Sequence, residues 1–183
     1  NINKDCGSTN PKLVSQLVKE TNADFGFSFD GDADRIIAVD EKGEEINGDH
    51  MLGIFAMDLK EQGKLKNDTV VGTVMTNMGL DVYLDSIESK VIKAPVGDRY
   101  VLESMLKGDY ILGGEQSGHI IFLEHNTTGD GLATGIHLAN AIKKSGKVPS
   151  ELNKLVSDYP QVLINATVEN SKKYSYMENE KIK

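Results

Sequence analysis

The sequence has a single cysteine, fewer basic than acidic residues and no long apolar run. Cys6 alone cannot form an intrachain disulfide, which is typical of proteins in the reducing cytoplasm. The net charge of −8 and the pI near 5.0 argue against a nucleic-acid-binding surface, because such a surface needs clustered Lys and Arg. No segment approaches the roughly 18 to 20 apolar residues that span a bilayer, and residues 1–5 carry no signal-peptide pattern. We therefore predict a cytoplasmic protein that binds neither nucleic acid nor membrane.

Two nucleotide-binding signatures are also missing. The sequence has no Gly-Lys-Ser/Thr of a Walker loop, and no Gly-x-Gly-x-x-Gly precedes a predicted helix. What is present is an ordinary globular composition, with 39% hydrophobic and 26% charged residues in 183. This length allows one sizeable domain plus part of another. The first residue is not methionine, and we expect the chain to be a piece of a longer protein.

An acidic loop occupies residues 29–35, Phe-Asp-Gly-Asp-Ala-Asp-Arg. Asp30, Asp32 and Asp34 alternate, so an extended backbone would project all three to one face, and a bend at Gly31 would bring them closer. Carboxylates brought together repel one another unless a cation neutralises them, and Asp oxygens are ligands that Mg²⁺ and Ca²⁺ prefer. The pattern therefore predicts a divalent metal site.

The flanking residues favour phosphate chemistry over calcium storage. As an EF-hand, the loop would run from Asp30 to Glu41, but its sixth position, which requires glycine, is Arg35. Both flanks are apolar and resemble strands rather than helices. A guanidinium beside the metal ligands suits phosphate, because it can form two parallel hydrogen bonds to its oxygens. The alternative is a solvated acidic turn without a ligand.

A glycine-rich loop follows at residues 113–119, Gly-Gly-Glu-Gln-Ser-Gly-His, between two predicted strands. Loops at the carboxyl ends of parallel strands bind ligands in α/β sheets. Glu115 can accept and Ser117 can donate or accept hydrogen bonds, a combination that suits adjacent sugar hydroxyls. His119 is either a proton-transfer group or a loop residue whose ring nitrogens are already bonded. The alternative for the whole loop is a turn with incidental polar residues.

Strands and helices alternate along the chain, which predicts an α/β fold with a mixed, largely parallel sheet and flanking helices, plus part of a second α/β domain. Composition shifts near residues 46–49 and 157–160 predict domain edges, giving segments 1–46, 47–157 and 158–183. The predicted helices are residues 11–21, 48–63, 78–87, 98–107 and 129–144. The predicted strands are residues 24–29, 35–39, 44–46, 69–74, 90–94, 110–113, 119–123 and 161–168. Asn10 is predicted to cap the first helix, with Pro11 at its first position.

Three of these segments together resemble the α-D-phosphohexomutases. Residues 30–35 are similar to the metal-binding loop of that family, and residues 114–119 to its sugar-binding loop. Residues 96–101, Val-Gly-Asp-Arg-Tyr-Val, resemble the loop that helps to distinguish substrates, although Gly97-Asp98 is also an ordinary helix start. The glutamine at position 116, between the acid and the serine, resembles the loop of the family branch that acts on glucosamine phosphate. Pro95 also favours this branch, because the branches that act on glucose or mannose phosphates often carry lysine at this position.

The resemblance implies a domain-3-like fold preceded by the end of domain 2 (1–46) and followed by the first strand of domain 4 (158–183). It implies interconversion of glucosamine 6-phosphate and glucosamine 1-phosphate through a phosphoserine and a hexosamine 1,6-bisphosphate, for amino-sugar nucleotides of the cell wall. Mg²⁺ would be the cofactor and a sugar phosphate the partner. The implied metal ligands are Asp30, Asp32 and Asp34; the implied catalytic residues are Arg35 and His119; the implied substrate-binding residues are Asp98, Arg99, Glu115, Gln116 and Ser117.

Parts of the implied enzyme are absent from the sequence. The phosphoserine loop of domain 1, marked by Ser-His-Asn-Pro, does not occur, and neither does the phosphate-clamping loop of domain 4. We therefore expect the 183 residues alone to be inactive and to need domains 1 and 4 as partners. Three alternatives remain open: a glucose or mannose branch of the same family, a non-catalytic metal-dependent sugar-phosphate-binding module, and a purely structural α/β domain.

Overall fold

Two β-sheets with packed helices make up the computed structural model of the protein, which describes residues 4–164, 167–172 and 175. The strands are β1 Phe25–Phe29, β2 Ile36–Asp40, β3 Glu45–Ile46, β4 Thr69–Thr73, β5 Lys90–Ala94, β6 Leu112–Gly114 and β7 Ile120–Phe122. The α-helices are α1 Lys12–Thr21, α2 Gly48–Glu61, α3 Met78–Ser86, α4 Asp98–Gly108, α5 Gly131–Ser145 and α6 Pro149–Asn153. Short 3₁₀-helices span Lys66–Asp68 and Asn170–Lys172. None of the helices in the described ranges is both long and apolar enough to cross a membrane.

The first sheet is antiparallel, in the order β1-β2-β3. Phe25 pairs with Asp40 and Phe29 with Ile36, so the acidic loop connects the adjacent ends of two paired strands. All five residues of β2 are buried, because α1, α5 and α6 pack against this strand. The predicted β2–β3 hairpin is confirmed, with the amide of Gly43 donating to the carbonyl of Asp40 at 2.8 Å.

The second sheet is mixed and largely parallel, as predicted, in the order β5-β4-β6-β7. β4 pairs in parallel with β5 and β6, while β7 runs antiparallel to β6. Every residue of β4 is buried, which explains its continuous apolar sequence. Helix α2 packs against β6, α3 and α5 and contributes fully buried Leu52 and Ile54 to the main core. This core holds β6 in place and thereby fixes the start of the glycine-rich loop.

Two local predictions at the ends of elements are wrong. Helix α1 begins at Lys12 after Pro11, and no side chain caps it. Asn10 instead belongs to a preceding turn, in which its own amide donates to the carbonyl of Gly7 at 3.0 Å. The short helix α6 was not predicted; it begins at Pro149, a residue that the first position of a helix accepts.

The strand predicted for residues 161–168 does not form in its described part, residues 161–164 and 167–168. Val162 and Ile164 are about four-fifths exposed, at 79% and 81%. A strand needs a neighbouring edge for its backbone hydrogen bonds, and the described residues place none beside this segment. Residues 165 and 166 of the predicted strand lie outside the described residues.

Gly118 should be the least replaceable glycine of the loop before β7. Its φ is +89°, and an added Cβ would overlap the carbonyl oxygen of Ile36. We expect Gly118→Ala to lower the free energy of unfolding by about 3 kcal/mol. Gly146→Ala is the matched control, since Gly146 also has positive φ, at +65°, but its Cβ would meet open space; it should lose only about 1 kcal/mol. Equal losses in urea titrations would contradict this explanation.

Asp49 should make stability depend on pH. It lies fully buried in the first turn of α2, where its Oδ2 accepts from the amide of Asn77 at 2.8 Å. Burial raises the pKa of this carboxyl to about 6. The folded state therefore binds the proton more tightly than the unfolded chain, and this contribution to stability is lost as the pH rises from about 4 to about 6.

Asp49→Asn removes the charge and keeps an oxygen that can accept from Asn77. We expect its stability relative to wild type to rise by about 2 to 3 kcal/mol between about pH 4 and pH 7. Urea unfolding of both proteins across this range measures the difference. A stability difference that does not change with pH would show that Asp49 titrates normally.

Candidate metal and sugar-phosphate site

The acidic loop folds as a compact turn between β1 and β2. Asp30 Oδ1 accepts from the amide of Arg35 at 3.1 Å, and the amide of Ala33 donates to the Asp30 carbonyl at 3.3 Å. Ala33, with φ +58°, makes the left-handed bend, whereas Gly31 does not have a positive φ. The expected extended backbone is therefore wrong: the chain bends throughout residues 31–34, including the predicted bend at Gly31, and the left-handed Ala33 closes these turns.

The three carboxylates nevertheless converge. One oxygen from each of Asp30, Asp32 and Asp34 lies within 4.8 Å of the other two. Ligands on opposite sides of one ion lie about 4.2 Å apart for Mg²⁺ and up to about 5 Å apart for Ca²⁺, so one Ca²⁺ fits this spread directly and one Mg²⁺ would draw the oxygens closer together. Two of the three residues are half-buried and one is exposed.

The electrostatics of the cluster fit a hard divalent cation. Burial raises the pKa of the Asp34 carboxyl, Asp30 raises it further by hydrogen bonding and charge, and His119 opposes this shift. Arg35 offers only a long contact, 4.0 Å from Nε to Asp30 Oδ2, and its side chain is 45% exposed. Carboxylate oxygens with so little positive charge beside them are the kind of ligand set that Mg²⁺ or Ca²⁺ binds. That a metal binds here stays a prediction.

His119 lies directly behind the acidic loop. Its side chain is 2% exposed, its Nδ1 is 3.0 Å from Asp34 Oδ2, and its Nε2 accepts from the amide of Gly129 at 3.0 Å. Both ring nitrogens are thus bonded to protein groups. The proton-transfer role predicted for His119 stays untested, and it would require one of these two bonds to open.

The glycine-rich loop is held between the two sheets by its backbone. The amide of Ile36 donates to the Gly118 carbonyl at 3.1 Å, and the amide of Gly48 donates to the Gln116 carbonyl at 2.9 Å. On the other side of the acidic loop, the amide of Gly131 donates to the Ala33 carbonyl at 2.9 Å. Backbone hydrogen bonds therefore join the acidic loop and the glycine-rich loop across the junction of the two sheets.

Glu115 connects this unit to the third predicted segment. Its Oε1 accepts from the amide of Gly97 at 3.1 Å, just before α4 begins. Asp98 is exposed in the first turn of α4, where its Oδ1 accepts from the amide of Arg99 at 2.7 Å. The Arg99 side chain is 81% exposed and pairs with Glu103 at 2.8 Å, one helical turn further along. Arg99 thus points along α4, towards Glu103.

An open groove of about 450 Å³ lies where the two sheets meet. Among its lining residues are Arg35, Gln116 and Ser117, three of the predicted site residues. Its remaining lining residues are Ser8, Thr9, Ile37, Glu45 and Asn47. The groove therefore brings the phosphate-binding candidate beside two sugar-binding candidates.

Sequence analysis missed several residues of this site. Ser8 and Thr9 line the groove, and the Ser8 hydroxyl is buried without a hydrogen-bond partner among the described residues. Gly129 and Gly131 hold His119 and the acidic loop through their amides. Backbone donors leave no signal in a sequence beyond the presence of glycine, and a short polar turn such as residues 7–9 has no distinctive spacing.

Comparison with known protein families matches two regions of the chain, one that contains the acidic loop and one that contains the glycine-rich loop. Family models described as "Phosphoglucomutase/phosphomannomutase, alpha/beta/alpha domain II" and "domain III" match residues 5–43 and 47–159. A phosphoglucosamine mutase from Alkaliphilus oremlandii is 59% identical over 176 residues, which are 96% of this chain and 39% of that protein. One from Thermoanaerobacter sp. is 57% identical over 182 residues, which are 100% of this chain and 41% of that protein. The chain thus spans about two fifths of the length of these curated relatives.

Solved structures share the fold. A putative phosphomannomutase from Thermus thermophilus has a TM-score of 0.74 at 27% identity, covering 84% of this chain and 35% of its own. An Aspergillus fumigatus N-acetylphosphoglucosamine mutase, in complex with GlcNAc-6P and magnesium, has a TM-score of 0.64 at 21% identity, covering 86% and 41%. At that identity the second likeness shows the fold alone.

The bond between Glu115 and the Gly97 amide should be measurable by hydrogen exchange. Glu115→Ala removes the acceptor, and we expect the Gly97 amide to exchange about fivefold faster, because a lost hydrogen bond of about 1 kcal/mol frees it. Glu115→Gln keeps a carbonyl oxygen in reach and should retain most of the protection. The Val101 amide, bonded to the Gly97 carbonyl, is an internal reference. Unchanged Gly97 exchange in Glu115→Ala would show that the contact does not order this loop.

Proposed function

Because this chain belongs to the phosphoglucomutase/phosphomannomutase family, we propose that it is the metal-binding and sugar-binding part of a phosphoglucosamine mutase. Such an enzyme interconverts glucosamine 6-phosphate and glucosamine 1-phosphate. The carrying observation is the convergence of Asp30, Asp32 and Asp34 beside a loop whose Gln116 and Ser117 line the adjoining groove. Relatives that bear the name phosphoglucosamine mutase, 54% to 59% identical to this chain, support the choice of branch.

The acidic loop would hold Mg²⁺, whose charge would offset that of the transferring phosphoryl group. Arg35 would bind phosphate oxygens directly. Its exposed side chain is only loosely held by Asp30, at 4.0 Å, so it can turn towards the groove that it lines. Its planar guanidinium can make two hydrogen bonds to one phosphate, which fixes the orientation of the group as well as its charge.

The glycine-rich loop would bind the secondary hydroxyls of the sugar. Ser117 is exposed, and Glu115 keeps acceptor capacity after accepting once from Gly97, because an ionised carboxylate has several lone pairs. Contacts to the middle of the ring suit a substrate that must bind in two orientations, with either phosphate towards the metal. Asp98 would pair with the amino group of the substrate, and Arg99 would orient the substrate or contact a further domain.

The reaction needs groups from outside these 183 residues. A phosphoserine would donate its phosphoryl group to the hexosamine phosphate. The resulting 1,6-bisphosphate would reorient in the site and transfer its other phosphoryl group back to the serine. Since no Ser-His-Asn-Pro run occurs here, we propose that domains 1 and 4 of a longer polypeptide complete the site. In this scheme residues 1–46 end domain 2, residues 47–157 form domain 3, and residues 158–183 begin domain 4.

Asp32→Asn tests the proposal in the complete protein. We expect it to lower kcat/KM for glucosamine 6-phosphate at least about a hundredfold and to abolish the heat of Mg²⁺ binding, because one of three anionic ligands is neutralised. Asp85→Asn, the same change at an exposed position of α3, should alter neither quantity.

Three results would reject parts of the proposal. Faster turnover of mannose 6-phosphate than of glucosamine 6-phosphate would move the protein to another branch. Mg²⁺ and sugar-phosphate binding without turnover would indicate a binding module. If millimolar Mg²⁺ produced no heat of binding, the alternative of a purely structural domain would be the one supported.

A further inference from the structure

His119 is bonded in a way that fixes which ring nitrogen carries the hydrogen. The Gly129 amide can only donate, so Nε2 of His119, 3.0 Å away, is the acceptor. A neutral imidazole with a bare Nε2 carries its hydrogen on Nδ1. Nδ1 therefore donates to Asp34 Oδ2, at 3.0 Å. The His119 ring therefore acts on the acidic loop as a hydrogen-bond donor.

The packing around His119 keeps the ring in this orientation. Its side chain is 2% exposed, and a Cβ added at Gly129 would come within 2.6 Å of the ring atoms Cε1 and Nδ1. The amide that binds Nε2 therefore approaches closely only because residue 129 is glycine. A 180° flip of the ring would place Cδ2 and Cε1 where Nδ1 and Nε2 now lie, and both hydrogen bonds would be lost.

Asp34 needs such a donor to stay where it is. It follows the left-handed Ala33, and Asp30 and Asp32 both act on it as like charges. Without an opposing donor, repulsion would turn this half-buried carboxylate towards water. Among the described residues, His119 supplies the side-chain donor that opposes this, and it does so from the second domain.

We infer that His119 is a positioning residue: it holds Asp34 in the orientation of a metal ligand and couples the glycine-rich loop to the acidic loop. This inference rests on the proposed metal site. It gives the Nδ1 side of the imidazole a role at the carboxylate and leaves the predicted proton-transfer role of the ring as a separate prediction. Removing a partner that orients a metal ligand typically weakens metal binding about tenfold to a hundredfold.

Two substitutions separate the two bonds of the ring. His119→Asn places an N–H near the position of Nδ1 and loses the acceptor for Gly129. His119→Gln places an oxygen near the position of Nε2 and loses the donor to Asp34. Mn²⁺ binding to the complete protein, followed by electron paramagnetic resonance with Mg²⁺ as competitor, measures the metal site directly.

We expect His119→Asn to bind Mn²⁺ within about threefold of wild type and His119→Gln to bind it at least about tenfold more weakly. His125→Gln is the matched control, since His125 is exposed and lies away from the acidic loop, against Phe122 and His137; it should bind like wild type. Equal affinities for all variants, as a role in proton transfer alone predicts, would overturn the inference. Equal losses in the Asn and Gln variants would also overturn it.

A measurement on the unmodified protein covers the case in which a variant fails to fold. ¹⁵N NMR of the His119 ring should show a protonated Nδ1 and a bare Nε2 in the metal-free protein and after Mg²⁺ is added. A protonated Nε2 would overturn the inference. Failure of wild type to bind Mn²⁺ would reject the proposed function as well, whereas wild-type binding with an unaffected Gln variant would reject only the role of His119.

Discussion

Three carboxylates held within 4.8 Å of one another are the constraint around which this structure is arranged. Like charges at this distance separate unless the backbone and its neighbours prevent it. Here the loop closes on itself through Asp30, and the second domain holds it at Ile36, Ala33 and Asp34. Because part of this support comes from residues about 80 to 100 positions away, the conformation of the acidic loop depends on both matched regions of the chain.

This support explains why the glycine-rich loop lies next to the acidic one. β6 is anchored in the core of the second domain, and the loop that follows it reaches the start of β2 through the Gly118 carbonyl. The same loop reaches α4 through Glu115 and the Gly97 amide. A sugar bound here would therefore contact a surface whose position relative to the metal ligands is set by short backbone bonds rather than by long flexible side chains.

Local sequence predicted the bounds of most helices and strands where the periodicity of apolar residues agrees with which residues are buried. β5 matches its predicted residues, and α2 and α3 begin at theirs and end within about two residues of prediction. Asn47 and Asn77 cap the starts of the two helices, and such caps, like the apolar periodicity, act locally. Prediction failed where the outcome depends on a partner. Asn10 bonds within a turn instead of capping α1, and residues 161–164 have strand-like side chains but no neighbouring edge among the described residues.

For the site, the sequence by itself determined the chemistry: three alternating carboxylates, an adjacent arginine, and a loop carrying an acid, a hydroxyl and an imidazole. These types and spacings are local and visible in one dimension. Only the tertiary structure decided that Ala33 makes the left-handed reversal, that Gly129 fixes the hydrogen of His119 on Nδ1, and that Ser8 and Thr9 line the groove. Each of these depends on backbone geometry and on contacts between distant segments, which side-chain identity along the chain does not record.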